Sequence, residues 1–125
     1  MEIGKIKFKA KRLDNREWIE GSLTYSQGTA FIHCKESDED DRCYLTPYEV
    51  IPETVCQFTG ITDYDGKDLY EGDIISFSDS ENLIIWEDYL CAFVLVGIET
   101  HSYYANCDIL NTFPFYIIGN KFDKK

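Results

Sequence analysis

The sequence contains no C-x-x-C pair, no H-E-x-x-H, no G-x-S-x-G and no glycine loop of the kind that cradles phosphate. The commonest signatures of zinc binding, metalloprotease, serine-hydrolase and nucleotide chemistry are therefore absent. Histidine is scarce, with two residues, and there are only three prolines. No apolar run approaches the ~20 residues of a membrane helix; the longest lies around Leu90–Val96. The opening Met-Glu-Ile-Gly-Lys-Ile-Lys holds no apolar stretch of signal-peptide length, so the cytoplasm is the expected compartment. Bases are few, 12 against 23 acids. A net field of that sign repels nucleic-acid phosphates and anionic membranes.

Aromatic residues, by contrast, are plentiful. Nineteen of them and a 44% hydrophobic content are ample for a packed core in 125 residues, as one domain or two small β subdomains. The five cysteines, Cys34, Cys43, Cys56, Cys91 and Cys107, are an odd number without paired spacing. They read as small hydrophobes in a reducing compartment. The charge is unevenly spread. Residues 1–16 carry six bases and two acids, net +4, and the remainder six bases and 21 acids, net −15. The chain is an acidic body with a basic first strand.

Along the chain, Lys5–Lys11 alternates lysine with Ile6, Phe8 and Ala10, the period of a half-buried strand. Further strands are expected at Trp18–Tyr25, Thr29–Cys34, Thr54–Thr59, Asp73–Asp79, Leu83–Glu87, Leu90–Ile98 and Phe115–Ile118. Lys35–Arg42 reads as a solvated loop, and Pro47 and Pro52 bracket an irregular connection. Tyr103–Leu110 is the one segment suited to a short helix. The predicted fold is mainly β, with at most one or two short helices and with α+β as the alternative. A strand-rich N-terminal part, 1–53, packs on a small SH3-like β-barrel or meander, 54–125, within a single domain. Leu83–Trp86 and Cys91–Val96 are apolar on both faces, which makes a homo-oligomer plausible.

The densest stretch is Gln57–Ile75, with three glycines and five acids. Gln57, Phe58, Thr59, Gly60 and Ile61 lead into an acidic turn, Asp63–Gly66. Leu69, Tyr70, Glu71, Gly72, Asp73, Ile74 and Ile75 follow. This pattern resembles the signature of the YopX family, small proteins encoded largely by bacteriophages and prophage-like elements. Ile6–Ala10 with Trp18–Gly21 is similar to the family's opening, and Tyr116–Asn120, with Gly119 and Asn120, to its closing. One departure is Lys121-Phe122, where an aliphatic-Tyr pair is more usual. The resemblance implies a mainly-β protein of mobile-element origin and carries no catalytic or binding residue across.

Each cluster that invites chemistry also has a plainer structural account. Glu71 and Asp73 are spaced for an acid–base pair or a cation, but Gly-Asp before Ile-Ile also suits a chain turning into a strand. Asp63–Asp68 has a calcium-loop composition, yet Gly66 stands fourth where an EF-hand needs its glycine sixth. The acids of Glu36–Asp41 suit a solvated loop. His33, Cys34 and Cys43 lack zinc spacing, and Cys91 with His101 would need to meet in space to act as nucleophile and base. The motif residues Gln57, Thr59, Gly60, Gly66, Tyr70, Glu71, Gly72, Asp73, Gly119 and Asn120 are thus expected to be structural. No catalytic residue, metal or cofactor is assigned.

The stripe Lys5, Lys7, Lys9, Lys11 either keeps an edge strand soluble or offers a cationic contact. The expected function is a non-catalytic accessory protein that binds another protein, a host protein among the candidates. The alternative is a nucleic-acid-related role, by DNA mimicry through the acidic body or by direct binding through the basic strand. An enzyme using Glu71 and Asp73 comes last. A membrane partner is not expected.

Overall fold

A computed structural model describes residues 3–100 and 103–123, and its regular structure is mainly antiparallel strands. No α-helix occurs among the described residues; the only helical pieces there are 3-10 turns at Ile3–Lys5, Pro52–Thr54 and Cys107–Asn111. The chain divides into two units, Met1–Gln57 and Phe58–Lys125.

In the first unit β1 (Phe8–Lys11), β2 (Trp18–Ser26), β3 (Thr29–Ser37) and β4 (Cys43–Val50) form a meander in chain order. β5 (Cys56–Thr62) starts here, its first residues pairing Cys56 with Lys9 and Gln57 with Phe8. Alternation puts Ala10, Ala30, Ile32 and Val50 on the covered face, with Phe8, Ile19 and Leu23 packed against them. The small Ala10 and Ala30 are fully buried. The end of β4 reaches back to the end of β1. Arg12 bridges Val50, Leu13 N–H donates to the Glu49 carbonyl (3.0 Å) and Ile51 N–H to the Lys11 carbonyl (2.9 Å). One bridge falls short of a closed barrel.

Several expectations are corrected here. The strand expected from Lys5 begins only at Phe8, because Ile6 N–H turns back to the Ile3 carbonyl (3.0 Å) and makes Ile3–Lys5 a helical turn. β3 runs on to Ser37, and β4 passes straight through Pro47 opposite His33. That proline is tolerated because β4 is the outer strand of the meander, where a missing N–H costs no ladder bond.

In the second unit the rest of β5 pairs with β6 (Asp68–Tyr70), Phe58 opposite Tyr70 and Thr62 opposite Asp68. A five-stranded sheet follows, in the order β10 (Tyr103–Asn106), β9 (Ala92–Gly97), β8 (Ser80–Glu87), β7 (Asp73–Phe77), β11 (Tyr116–Asn120). The sheet does not close on itself. The SH3-like barrel is not formed, and the meander is what the chain adopts. The expected helix at Tyr103–Leu110 is instead β10, paired with β9, followed by the turn Cys107–Asn111. A lone eight-residue helix is marginal in water, whereas a strand beside an existing edge gains ladder bonds at once. Leu69, Ile75, Phe77, Ile84, Leu95, Cys107, Leu110 and Phe115 make the core. Ile84 and Leu95 face inward while Trp86, 42% exposed, meets Phe93 edge-on (5.1 Å).

Burial pushes the Cys107 thiol up to about 12 from its ordinary value of 9.0. Between those values the unfolded chain releases a proton that the folded chain keeps. Stability is therefore expected to fall as pH rises from 9.0 to about 12, by about 1.4 kcal/mol per unit from this group. Urea unfolding across that window should show a flatter decline in Cys107→Ala than in the parent.

Candidate functional site

The polar chemistry of Gln57–Ile75 is spent inside the second unit. Thr59 Oγ1 donates to the Leu69 carbonyl (2.8 Å) and accepts from Ile61 N–H (3.2 Å), fastening β5 to β6. Gly60, at φ +90°, lies in the register shift between Phe58 and Thr62. Tyr70 is buried with its ring 5.6 Å from that of Phe58. Gly72 N–H donates to the Ile84 carbonyl (2.7 Å), and its own carbonyl accepts from Lys121 N–H (2.9 Å). Gln57 is exposed and Glu71 half-buried.

Asp73 is 1% exposed. One carboxylate oxygen accepts from Tyr70 N–H (2.8 Å) and the other from Asn120 Nδ2 (2.9 Å). Asn120 Oδ1 in turn accepts from Phe122 N–H (2.9 Å). Gly119, pairing with Ile74 just past a register shift in β11, aligns Asn120 opposite Asp73. Two residues 47 apart in sequence thus meet as one buried polar pair.

Asp63 is the residue that reading the sequence undervalued. Its Oδ1 accepts from Asp65 N–H (2.9 Å) and Lys67 N–H (2.8 Å), and Gly66 (φ +83°) takes the backbone conformation that side chains resist. Its Oδ2 accepts from Ile117 N–H (3.1 Å), and Tyr64 N–H donates to the Phe115 carbonyl (3.1 Å). β11 is an edge strand, and this turn lies along its outer side. Covered edges resist pairing with other chains. Asp63→Ala is expected to lower stability by about 2 kcal/mol and to open that edge. Light scattering should then detect concentration-dependent association beyond that of the parent.

Residues 7–124 match the sequence pattern of a family described as YopX protein. The chain belongs to the YopX family. No curated protein matches it.

Within this YopX protein the remaining candidates separate. Lys9 and Lys11 lie on the face of β1 opposite Ala10, their ammonium groups 4.9 and 5.4 Å from the Trp18 ring centre. Lys5 is exposed in the first helical turn and Lys7 precedes β1. Beyond the stripe is a cluster that the sequence did not flag. The Arg12 guanidinium lies 4.3 Å over the Tyr48 ring and binds Asp14 (2.7 Å), while the Tyr48 hydroxyl donates to Glu36 (2.5 Å). The hydrogen bond from Arg12 holds the Asp14 carboxyl below its ordinary value, and that to Glu36 raises the Tyr48 hydroxyl. The β3–β4 pairing brings Glu36 and Tyr48 together, and the bridge from Arg12 to Val50 brings the Arg12–Asp14 pair to them.

The sulfur and imidazole candidates do not converge. His33 Nε2 lies 2.8 Å from Thr24 Oγ1, Cys34 pairs across from Thr46 and Cys43 from Ser37. Burial raises the Cys34 thiol, the reverse of an activated nucleophile. No three His, Cys, Asp or Glu among the described residues are placed to hold a metal ion. His101, paired with Cys91 in the sequence reading, lies outside the described residues.

One apolar feature of the second unit stays open. The Tyr64 and Tyr116 rings are 5.6 Å apart at 55°, and they are 70% and 44% exposed. Beside them a groove of about 340 Å³ runs between Thr62–Tyr64 and Leu110–Phe115, with Phe113 52% exposed on its wall. Ile118, at the register shift of β11, is 50% exposed.

Proposed function

We propose that this protein works by holding another protein and carries out no chemistry itself, as a cytoplasmic accessory of a mobile element. The exposed Tyr64–Tyr116 pair beside its groove carries this reading. Exposed aromatic clusters of this kind anchor protein interfaces, where a few tyrosines supply most of the binding energy. The motif carboxylates support it as well, because the oxygens of Asp63 and Asp73 hold backbone and Asn120 donors in place. The test is affinity capture from host lysate with the parent and with Tyr64→Ala/Tyr116→Ala. A stoichiometric partner retained by the parent and lost by the variant is expected. Capture that is absent, or equal in both, would overturn the reading. A DNA-binding protein as the captured partner would make the acidic body a DNA mimic.

A second reading, direct nucleic-acid contact, draws on the two ammonium groups gathered at Trp18, since rings beside cations suit single strands. It predicts salt-dependent binding of a labelled single-stranded oligonucleotide, lost on replacing Lys9 and Lys11 with alanine.

A further inference from the structure

We infer that the Tyr64–Tyr116 groove takes a basic, arginine- or lysine-bearing segment of the partner protein. This rests on the interaction reading and narrows it to a ligand chemistry. Residues 58–125 hold twelve acids against four bases, net −8, so a cationic segment is drawn to this unit and an acidic one repelled. Locally, Asp65 follows Tyr64 in the turn and is exposed. Asp108 is exposed on the 3-10 turn whose Leu110 and Asn111 line the groove. Lys67 is the one base of the Asp63 turn, and Lys121, beyond β11, has its ammonium 5.0 Å over the Phe122 ring.

The rings supply what charge alone does not. Two tilted tyrosines 5.6 Å apart present π faces over which a guanidinium or ammonium can lie, and the groove beside them holds its aliphatic stem. The Asp63 carboxylate, although on the lining, is occupied by three backbone N–H groups. Recognition therefore runs through the rings, with Asp65 and Asp108 as rim charges that speed encounter.

The experiment uses fluorescein-labelled peptides of alternating arginine–serine, glutamine–serine and glutamate–serine, titrated with the full chain near physiological salt. Tyr64→Ala/Tyr116→Ala and Tyr64→Phe/Tyr116→Phe are run in parallel. Both rings are substantially exposed, so circular dichroism should show the variants folded. The arginine peptide should bind the parent at least about tenfold more tightly than the glutamine peptide. The alanine pair should lose about tenfold and the phenylalanine pair should keep most of it, a factor matching one to two cation–ring contacts. Equal binding by the alanine pair would mean general attraction to the acidic body, and equal binding of the glutamine peptide would mean no demand for a cation. Either result overturns the inference. So does parent self-association abolished by the alanine pair, which would give the groove to the basic strand of a second copy. If the peptides fail while tyrosine-dependent capture from lysate persists, the interaction reading stands and the basic ligand falls.

Discussion

Asp73→Ala is expected to remove about 3–5 kcal/mol of folding stability, seen as a large drop in the urea midpoint by circular dichroism. The carboxylate is 1% exposed and accepts from the Tyr70 backbone and the Asn120 side chain. A hydrogen bond to a charged group is worth about 1.5–3 kcal/mol, and its loss also leaves buried donors without that acceptor. Domains of this size are stable by about 5–15 kcal/mol in all. Asp73→Asn keeps the shape but turns an N–H₂ toward one of two donors, so an intermediate loss is expected. Asn120→Ala should cost less than Asp73→Ala, and the double variant less than the sum. The cycle should show a coupling of about 1–3 kcal/mol. Unchanged stability in Asp73→Ala would instead free this residue for a chemical role.

Gly21→Ala should be of comparable severity for a different reason. An added Cβ there would lie 2.2 Å from the His33 carbonyl oxygen and 3.3 Å from Ile32 Cγ2. The close atom is backbone, part of the β2–β3 ladder in which Ser22 faces His33. No rotamer change relieves the clash, so the strands must part, at a cost of about 3 kcal/mol. Gly28, at the β2–β3 turn, has open space where a methyl group would stand, with nothing within 4 Å. Its positive φ of 84° makes Gly28→Ala strained but milder, by about 1 kcal/mol. The ratio of the two effects, read from unfolding midpoints, separates close approach from backbone preference.

Period-two alternation marks β1, β3 and β7, because each keeps one face more covered than the other. It failed where long-range pairing decided the outcome. β4 through Pro47 exists because β3 offers a partner edge, and β8 begins at Ser80 because Ser78 and Asp79 both take positive φ in a two-residue turn normally built from Asn-Gly. In the same way Gly66 announced a turn, but nothing local announced that Asp63 would bind a strand 54 residues away. The Tyr64–Tyr116 pair is equally invisible in sequence, since its members meet only once β11 lies beside that turn.

The Asp63 contact to Ile117 also sets an order of events. A nascent chain makes residue 63 long before residue 117, and closing so long a loop is slow compared with forming the local hairpins of β7, β8 and β9. Until the last strand docks, the β7 edge has no neighbour. Once it docks, β11 becomes the edge, and Asp63 must settle on it. Refolding is therefore expected to leave a bare strand facing the solution late in the process, and recovered yield should decline with protein concentration even though the finished protein is guarded on that side.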